Sequence, residues 1–198
     1  MNDDHAELCA SPEWASYVQA EVLTPLLRDI DLGARMIEVG PGYGATTEWL
    51  RHRVGTLLAL EADSGTARAL RERFDGSNVE VIVGDASALP DGLARDFDSA
   101  GSFTMLHHVP TRARQRAVLA QLVGVLRPGG VLVGSDSLAS DDLRAFHAGD
   151  TYNPVPPATL LAWLEELGCR PITVRVAEAL TFVGYKPHQP AASAARQS

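Results

Sequence analysis

The sequence predicts an α/β fold: a doubly wound, mostly parallel seven-stranded sheet with a terminal antiparallel strand, preceded by an N-terminal helical arm. Three observations carry this. Short apolar runs alternate with helical patterns at a period of about 30 residues, the rhythm of βαβ units. The runs are continuous rather than alternately apolar and polar, which implies burial on both faces, as in a parallel sheet covered by helices. The last two runs, Ile172–Val176 and Thr181–Tyr185, are joined only by Ala177–Leu180. A parallel crossover needs about a dozen residues, so these two strands must pair antiparallel.

Taken in order, Ser11-Pro12 reads as a helix N-cap followed by the first helical residue. Trp14, Tyr17, Val18, Val22, Leu23, Leu26 and Leu27 then recur at helical spacing up to about Ile30. Pro25 should kink or split that helix. Strand signals follow at Met36–Gly40, Thr56–Glu61, Val79–Val83, Asp98–Thr104 and Val131–Ser135. Helical patterns lie between them at Thr46–Arg53, Ser64–Phe74 and Thr111–Leu126, the last with Val118, Leu119, Leu122, Val123 and Leu126 on one face. A further helix, Pro157–Leu167, is stopped by Gly168. One domain over residues 1–186 is expected, with 1–33 as its arm, and residues 187–198 form a disordered tail.

Composition narrows the class. With 45% hydrophobic and 21% charged residues, the 198-residue chain is too apolar for whole-chain disorder. Its 17 basic and 25 acidic residues give 17 − 25 = −8. A nucleic-acid binder usually shows a basic stripe, so no nucleic-acid partner is expected. No apolar run approaches the roughly 18 residues of a membrane span, so no membrane partner is expected either. The start, MNDDHAEL, has no apolar signal core. Cys9 and Cys169 are far apart, without metal spacing, and read as free thiols of a cytoplasmic protein.

The chemistry concentrates at Met36-Ile37-Glu38-Val39-Gly40-Pro41-Gly42-Tyr43-Gly44-Ala45-Thr46-Thr47, a buried strand running into a glycine-rich turn and a helix. Glycines allow positive φ and close approach of a ligand to the backbone. The first βα turn of an open α/β sheet is a usual ligand site. Gly40-x-Gly42-x-x-Ala45, with Glu61 about 20 residues on, also fits the dinucleotide fingerprint. Three details weigh against a dinucleotide. Glu38, at the strand end, would repel a pyrophosphate and suit a cationic ligand. Asp85 ends the third strand in Val81-Ile82-Val83-Gly84-Asp85-Ala86, and Leu126-Arg127-Pro128-Gly129-Gly130 precedes the fifth.

With Thr104-Met105-Leu106-His107-His108 added, this set resembles the class I S-adenosylmethionine-dependent methyltransferases, in particular the small UbiE-like branch. The resemblance covers roughly Met36 to Ser135, and the terminal reversed hairpin suits the same Rossmann-like methyltransferase fold. It implies S-adenosyl-L-methionine as cofactor, with Glu38, Gly40, Gly42, Tyr43 and Gly44 at the methionine and ribose portion. It implies that Glu61 accepts from both ribose hydroxyls, with Ala62 beside it, and that Asp85 accepts from the adenine amino group, with Ala86 against the ring. Phe103, Thr104 and Met105 would line the methionine chain and the methyl group.

A small-molecule methyl acceptor is expected, and a hydroxyl acceptor before an amine or carbon. His107 and His108 follow the fourth strand, where the methyl group should lie, and a histidine near neutral pKa suits a general base. The long polar stretch from Ser135 to Pro154 adds His147, Asp150 and Tyr152 as acceptor-site candidates. Catalytic roles are therefore expected at His107, His108 and His147. Asp136, Asp141, Asp142 and His147 do not reproduce the spacing of metal-dependent catechol methyltransferases, so no metal is expected. No Asn-Pro-Pro-Tyr-type tetrapeptide follows the fourth strand, which does not suggest amino-methylation of nucleobases in that manner. Arg112, Arg114 and Arg116 read as a solvated helix face. Trp14 and Tyr17 either form a lid, with a cation–π contact to the sulfonium, or simply pack into the core. A homodimer is left open. The competing readings are an NAD(P)-linked oxidoreductase and a non-catalytic S-adenosylmethionine-binding protein.

Overall fold

The computed structural model describes residues 2–188; most of the expected tail, from 189 on, lies outside the described residues. Seven strands form one sheet: β1 (Arg35–Val39), β2 (Thr56–Glu61), β3 (Val79–Val83), β4 (Phe97–Phe103), β5 (Leu126–Asp136), β6 (Ile172–Val176) and β7 (Leu180–Tyr185). Their spatial order is β3-β2-β1-β4-β5-β7-β6. The first five pair parallel, and β7 runs antiparallel to both β5 and β6. The predicted reversed hairpin is thus present.

Both faces of the sheet are buried, which is why its strands are apolar runs. On one face Ile37, Val39, Leu60, Ala100 and Leu132 pack with Val118, Leu119 and Leu122 of a helix at Arg112–Val125 and with Leu160 and Leu164 of another at Pro157–Glu166. On the other, Met36, Leu57, Phe103, Val131 and Val133 pack against Val18, Val22, Leu23 and Leu27 of the arm.

The arm is divided ahead of Pro25, in keeping with the expectation that this proline kinks or splits the helix, and it contains one helix more than expected, at Asp3–Ala10. It comprises α1 (Asp3–Ala10), α2 (Pro12–Tyr17), a π-helical stretch (Val18–Leu23) and α3 (Thr24–Leu27). Ser11 caps α2 as predicted, accepting from Trp14 N–H. The widened turn ahead of Pro25 gives room to a ring that would clash with the carbonyl four residues earlier. No apolar periodicity announces α1; its N-cap is Asn2, which accepts from His5 N–H at 2.9 Å.

The remaining helices are α4 (Ala45–Leu50), α5 (Ser64–Arg73), α6 (Arg112–Val125), α7 (Asp141–Phe146) and α8 (Pro157–Glu166). The long stretch after β5 therefore contains a helix, capped by Ser140. The sheet order reverses between β1 and β4, and ligand crevices open beyond the carboxyl ends of strands at such a switch point. There Val39 stands beside Ser102, and Phe103 beside Ser135.

Candidate active site

The glycine turn leaves β1 at this crevice. Gly40, Gly42 and Gly44 all have positive φ. A Cβ at Gly40 would stand 2.2 Å from Met105 Cγ, so only glycine lets that chain cross the turn. A Cβ at Gly42 would meet nothing within 4 Å, because it would project into open cavity. The turn is tied from below. Glu61 Oε2 accepts from Gly42 N–H at 3.2 Å, and Glu61 Oε1 accepts from Asp63 N–H at 2.9 Å.

Glu38 lies beneath the turn rather than on the cavity wall. It is 1% exposed, and its carboxyl accepts from Thr46 Oγ1 and, at 2.7 Å, from Thr47 Oγ1, which pins the first turn of α4. Burial pushes its carboxyl up to about 7, against the two hydroxyl donors. Gly44, left-handed at the N-cap of α4, is also off the wall.

A continuous cavity of about 750 Å³ starts at this turn. Ligand pockets run to roughly 300–1,000 Å³. Gly40, Gly42, Tyr43, Glu61, Ala62, Asp85, Ala86, Phe103, Thr104 and Met105 line one end. Asp85 Oδ1 accepts from Ser87 N–H at 2.8 Å and Ser87 Oγ at 2.7 Å, which holds its carboxyl below the usual range. Its Oδ2 pairs with Arg114. Both side chains are about half exposed, so this pair is worth at most about 1 kcal/mol and parts readily. Thr104 has φ +49, a conformation unusual for a β-branched residue; it turns the chain from β4 into the Leu106–His108 turn.

The other end is built of histidines. His5, His107, His108 and His147 all line it. His107 Nδ1 lies 2.5 Å from Asp136 Oδ1, with side chains 5% and 0% exposed. Adjacent strands cause this: His107 follows β4, and Asp136 ends its neighbour β5. Asp136 Oδ2 is buried with no hydrogen-bond partner among the described residues. The His107 and His108 rings lie 4.0 Å apart, and His147 sits 5.2 Å from His107. Burial lowers the pKa of His5 and His147, and takes His108 down to about 3. These rings are neutral at physiological pH. Tyr152 stacks on His147 at 4.6 Å and donates to the Leu138 carbonyl, so it supports the wall from behind. Asp150 pairs with His5. Asp141 and Asp142 are at the start of α7, off the wall. Trp14 and Tyr17 stack at 5.7 Å and flank the cavity.

Two residues have weight that the sequence did not assign. The sequence pattern presents Asp136 only as a possible metal ligand and does not point to His5. Both act through partners more than 25 positions away, which no local pattern signals.

A family model described as "Methyltransferase domain" matches residues 37–134. Among solved structures, the chain resembles an S-adenosylmethionine-bound amino pentose methyltransferase from Micromonospora echinaspora involved in calicheamicin biosynthesis. The TM-score is 0.69 at 19% identity, over 94% of this chain and 97% of that one. It also resembles a Haloferax volcanii methyltransferase solved with the Trm112 methyltransferase activator, with a TM-score of 0.71 at 16% identity over 94% and 95% of the two chains. Among curated proteins, ribosomal RNA small subunit methyltransferase A of Geobacter metallireducens is 48% identical over 52 residues, which are 26% of this chain and 19% of that protein. The Pelotomaculum thermopropionicum protein of the same name is 38% identical over 84 residues, 41% and 26% of the two. The chain thus spans about a quarter or less of those relatives.

The family match over residues 37–134, the fold and the glycine turn together mark a class I S-adenosylmethionine-dependent methyltransferase domain, a kind of domain whose cofactor is S-adenosylmethionine. The comparisons identify the class and not the UbiE-like branch. They also correct the expectation that set nucleic acid aside: the curated relatives are ribosomal RNA methyltransferases by name, and one structural neighbour was solved with a protein activator. Net charge does not exclude a nucleic-acid partner, because it sums the whole chain whereas a nucleic-acid contact uses one local face. No helix among the described residues is long and apolar enough to cross a membrane.

Proposed function

We propose that the chain methylates a hydroxyl oxygen, with His107 as general base and Asp136 as its positioning partner. The observation that carries this is the buried His107–Asp136 pair at one end of the cavity whose other end is the glycine turn. When bound, S-adenosylmethionine supplies a methyl group on a positively charged sulfur, which an in-line oxygen nucleophile can take. Glu61 and Gly42 would hold the ribose, Asp85 and Ala86 the adenine, and Thr104 and Met105 the methionine side. Gly42 suits this role, since its open side gives the cofactor backbone contact.

A carboxylate can only accept, so Asp136 fixes the His107 proton on Nδ1 and leaves Nε2 as the base. Alignment of oxygen and methyl carbon does most of the work, and removal of the hydroxyl proton adds to it. His108 and His147 bound the acceptor's space. We infer residues 1–186 as the working unit, with Trp14 and Tyr17 on the arm covering the cofactor. The free thiols Cys9 and Cys169 support a cytoplasmic setting.

An RNA acceptor is the second reading, favoured by the names of the ribosomal RNA relatives. The test is transfer of a labelled methyl group to two sets of acceptors, hydroxylated small compounds and ribosomal RNA, with product analysis. The hydroxyl reading expects an acid-stable methyl ether on whichever acceptor reacts. Methyl carried solely on nitrogen or carbon would refute it.

A further inference from the structure

We propose that His5, His108 and His147 form a binding site for one divalent transition metal ion of zinc-like character, with an open coordination position facing the cavity. The three rings come from separate parts of the chain: the arm helix α1, the turn after β4, and the end of α7. One nitrogen from each lies within 4.8 Å of one from each of the others. At metal–nitrogen distances of about 2.0–2.1 Å, a tetrahedral ion holds its ligand atoms about 3.3 Å apart. Ring rotations closing at most about 1.5 Å would complete the site.

The outer contacts are those of metal-ligating histidines. His147 Nδ1 donates to the Leu143 carbonyl at 2.7 Å. His5 Nδ1 lies 3.3 Å from Asp150 Oδ2. The Thr151 backbone makes a hydrogen-bonding contact with the His108 ring. A carbonyl or carboxylate can only accept, so each contact fixes a proton on one ring nitrogen and leaves the other with its lone pair. His147 is 4% exposed, and its Nε2 is a buried nitrogen with no hydrogen-bond partner among the described residues. A buried acceptor left without a donor is costly unless something coordinates it. The neighbouring rings cannot all serve, since each has one proton already committed.

Neutral imidazoles favour zinc and its neighbours over magnesium or calcium. Three protein ligands leave a fourth position, as in catalytic rather than structural zinc sites. All three histidines line the acceptor end of the cavity, so that position opens toward the acceptor. An oxygen bound there would lose its proton more readily; this consequence rests on the hydroxyl reading, whereas metal binding does not. The ion would also clamp α1 to the rest of the site.

The test titrates the metal-stripped full-length protein with Co²⁺, read by visible absorption, and with Zn²⁺, read by calorimetry, in the absence of any acceptor. One equivalent should bind, with the intense absorption of four-coordinate Co²⁺. His5→Ala and His147→Ala should each weaken binding by more than tenfold. Asp150→Asn, which alters the outer contact of His5 while keeping an oxygen that can accept from Asn2 N–H, should weaken it roughly 10- to 100-fold. His52→Ala, at an exposed position in the turn after α4, should bind as wild type. Melting curves identify variants that fail to fold, and Asp150→Asn then decides. Absence of stoichiometric binding by the wild type would overturn the proposal. So would a six-coordinate Co²⁺ spectrum indifferent to all three substitutions. Neither result touches the hydroxyl reading, which methyl-transfer products decide.

Discussion

His107 Nδ1 lies 2.5 Å from Asp136 Oδ1, and both side chains are buried at the carboxyl ends of neighbouring strands β4 and β5. A carboxyl oxygen that accepts from one ring nitrogen fixes both the tautomer and the orientation of the ring. The only lone pair His107 can offer is then on Nε2, and the residue lines the cavity that begins at the glycine turn.

Asp136→Asn removes that control while nearly preserving shape. Turnover should fall by roughly 10²- to 10⁴-fold, as when a general base loses its function. His107→Ala should fall as far, and the two losses should not add, because the residues act as a unit. S-Adenosylhomocysteine affinity, measured by calorimetry, should change less than about threefold in either variant. A loss confined to KM would instead assign His107 to acceptor binding.

The glycines separate fold from ligand. Gly42→Ala should cost about 1–2 kcal/mol in stability through its positive φ, yet cut cofactor affinity because the methyl group enters the cavity. Gly40→Ala carries the same backbone cost plus a collision with Met105, a further 1–3 kcal/mol or so. Thermal unfolding of the two variants should rank Gly40→Ala as the less stable. The opposite order would remove Met105 from the account of this turn.

Glu61 is expected to hold ribose hydroxyls while bracing Gly42. Glu61→Ala should weaken S-adenosylhomocysteine binding by about 1–3 kcal/mol, roughly 5- to 150-fold. An unchanged dissociation constant would take Glu61 out of the site.

Glu38 gives a pH signature. Burial raises it from 4.5 to about 7, so the folded chain keeps a proton that the unfolded chain releases between those values. Its contribution to stability is full below about pH 4.5 and is lost as pH rises through 7, by at most about 3 kcal/mol. Glu38→Gln should remove this slope. The difference between wild-type and variant melting temperatures across pH 4.5–7.5 isolates it, because the buried histidines contribute equally to both. A difference independent of pH would mean that Glu38 is ionised throughout.

The sheet was legible because burial on both faces makes strands such as Leu57–Leu60 and Val131–Val133 continuous apolar runs. The glycine turn was legible because positive φ at Gly40, Gly42 and Gly44 restricts residue choice. The sequence places Glu38 at the ligand, whereas its strand position turns it into the protein. The His107–Asp136 pair arises from strand register, and the His5 contact from packing of a helix without an apolar stripe. Neither leaves a periodic trace. Net charge has no spatial content, so it does not exclude the nucleic-acid partner that the names of the curated relatives raise.

The account stands most directly on a crystal structure of the chain with S-adenosylhomocysteine. It predicts ribose hydroxyls on Glu61, adenine beside Asp85 and Ala86, and the sulfur facing His107. The gap from sulfur to His107 Nε2 should be roughly 6–8 Å, room for one methyl group and one hydroxyl oxygen in line. A sulfur turned away from His107, or too far from it for a single acceptor atom to bridge, would contradict the account.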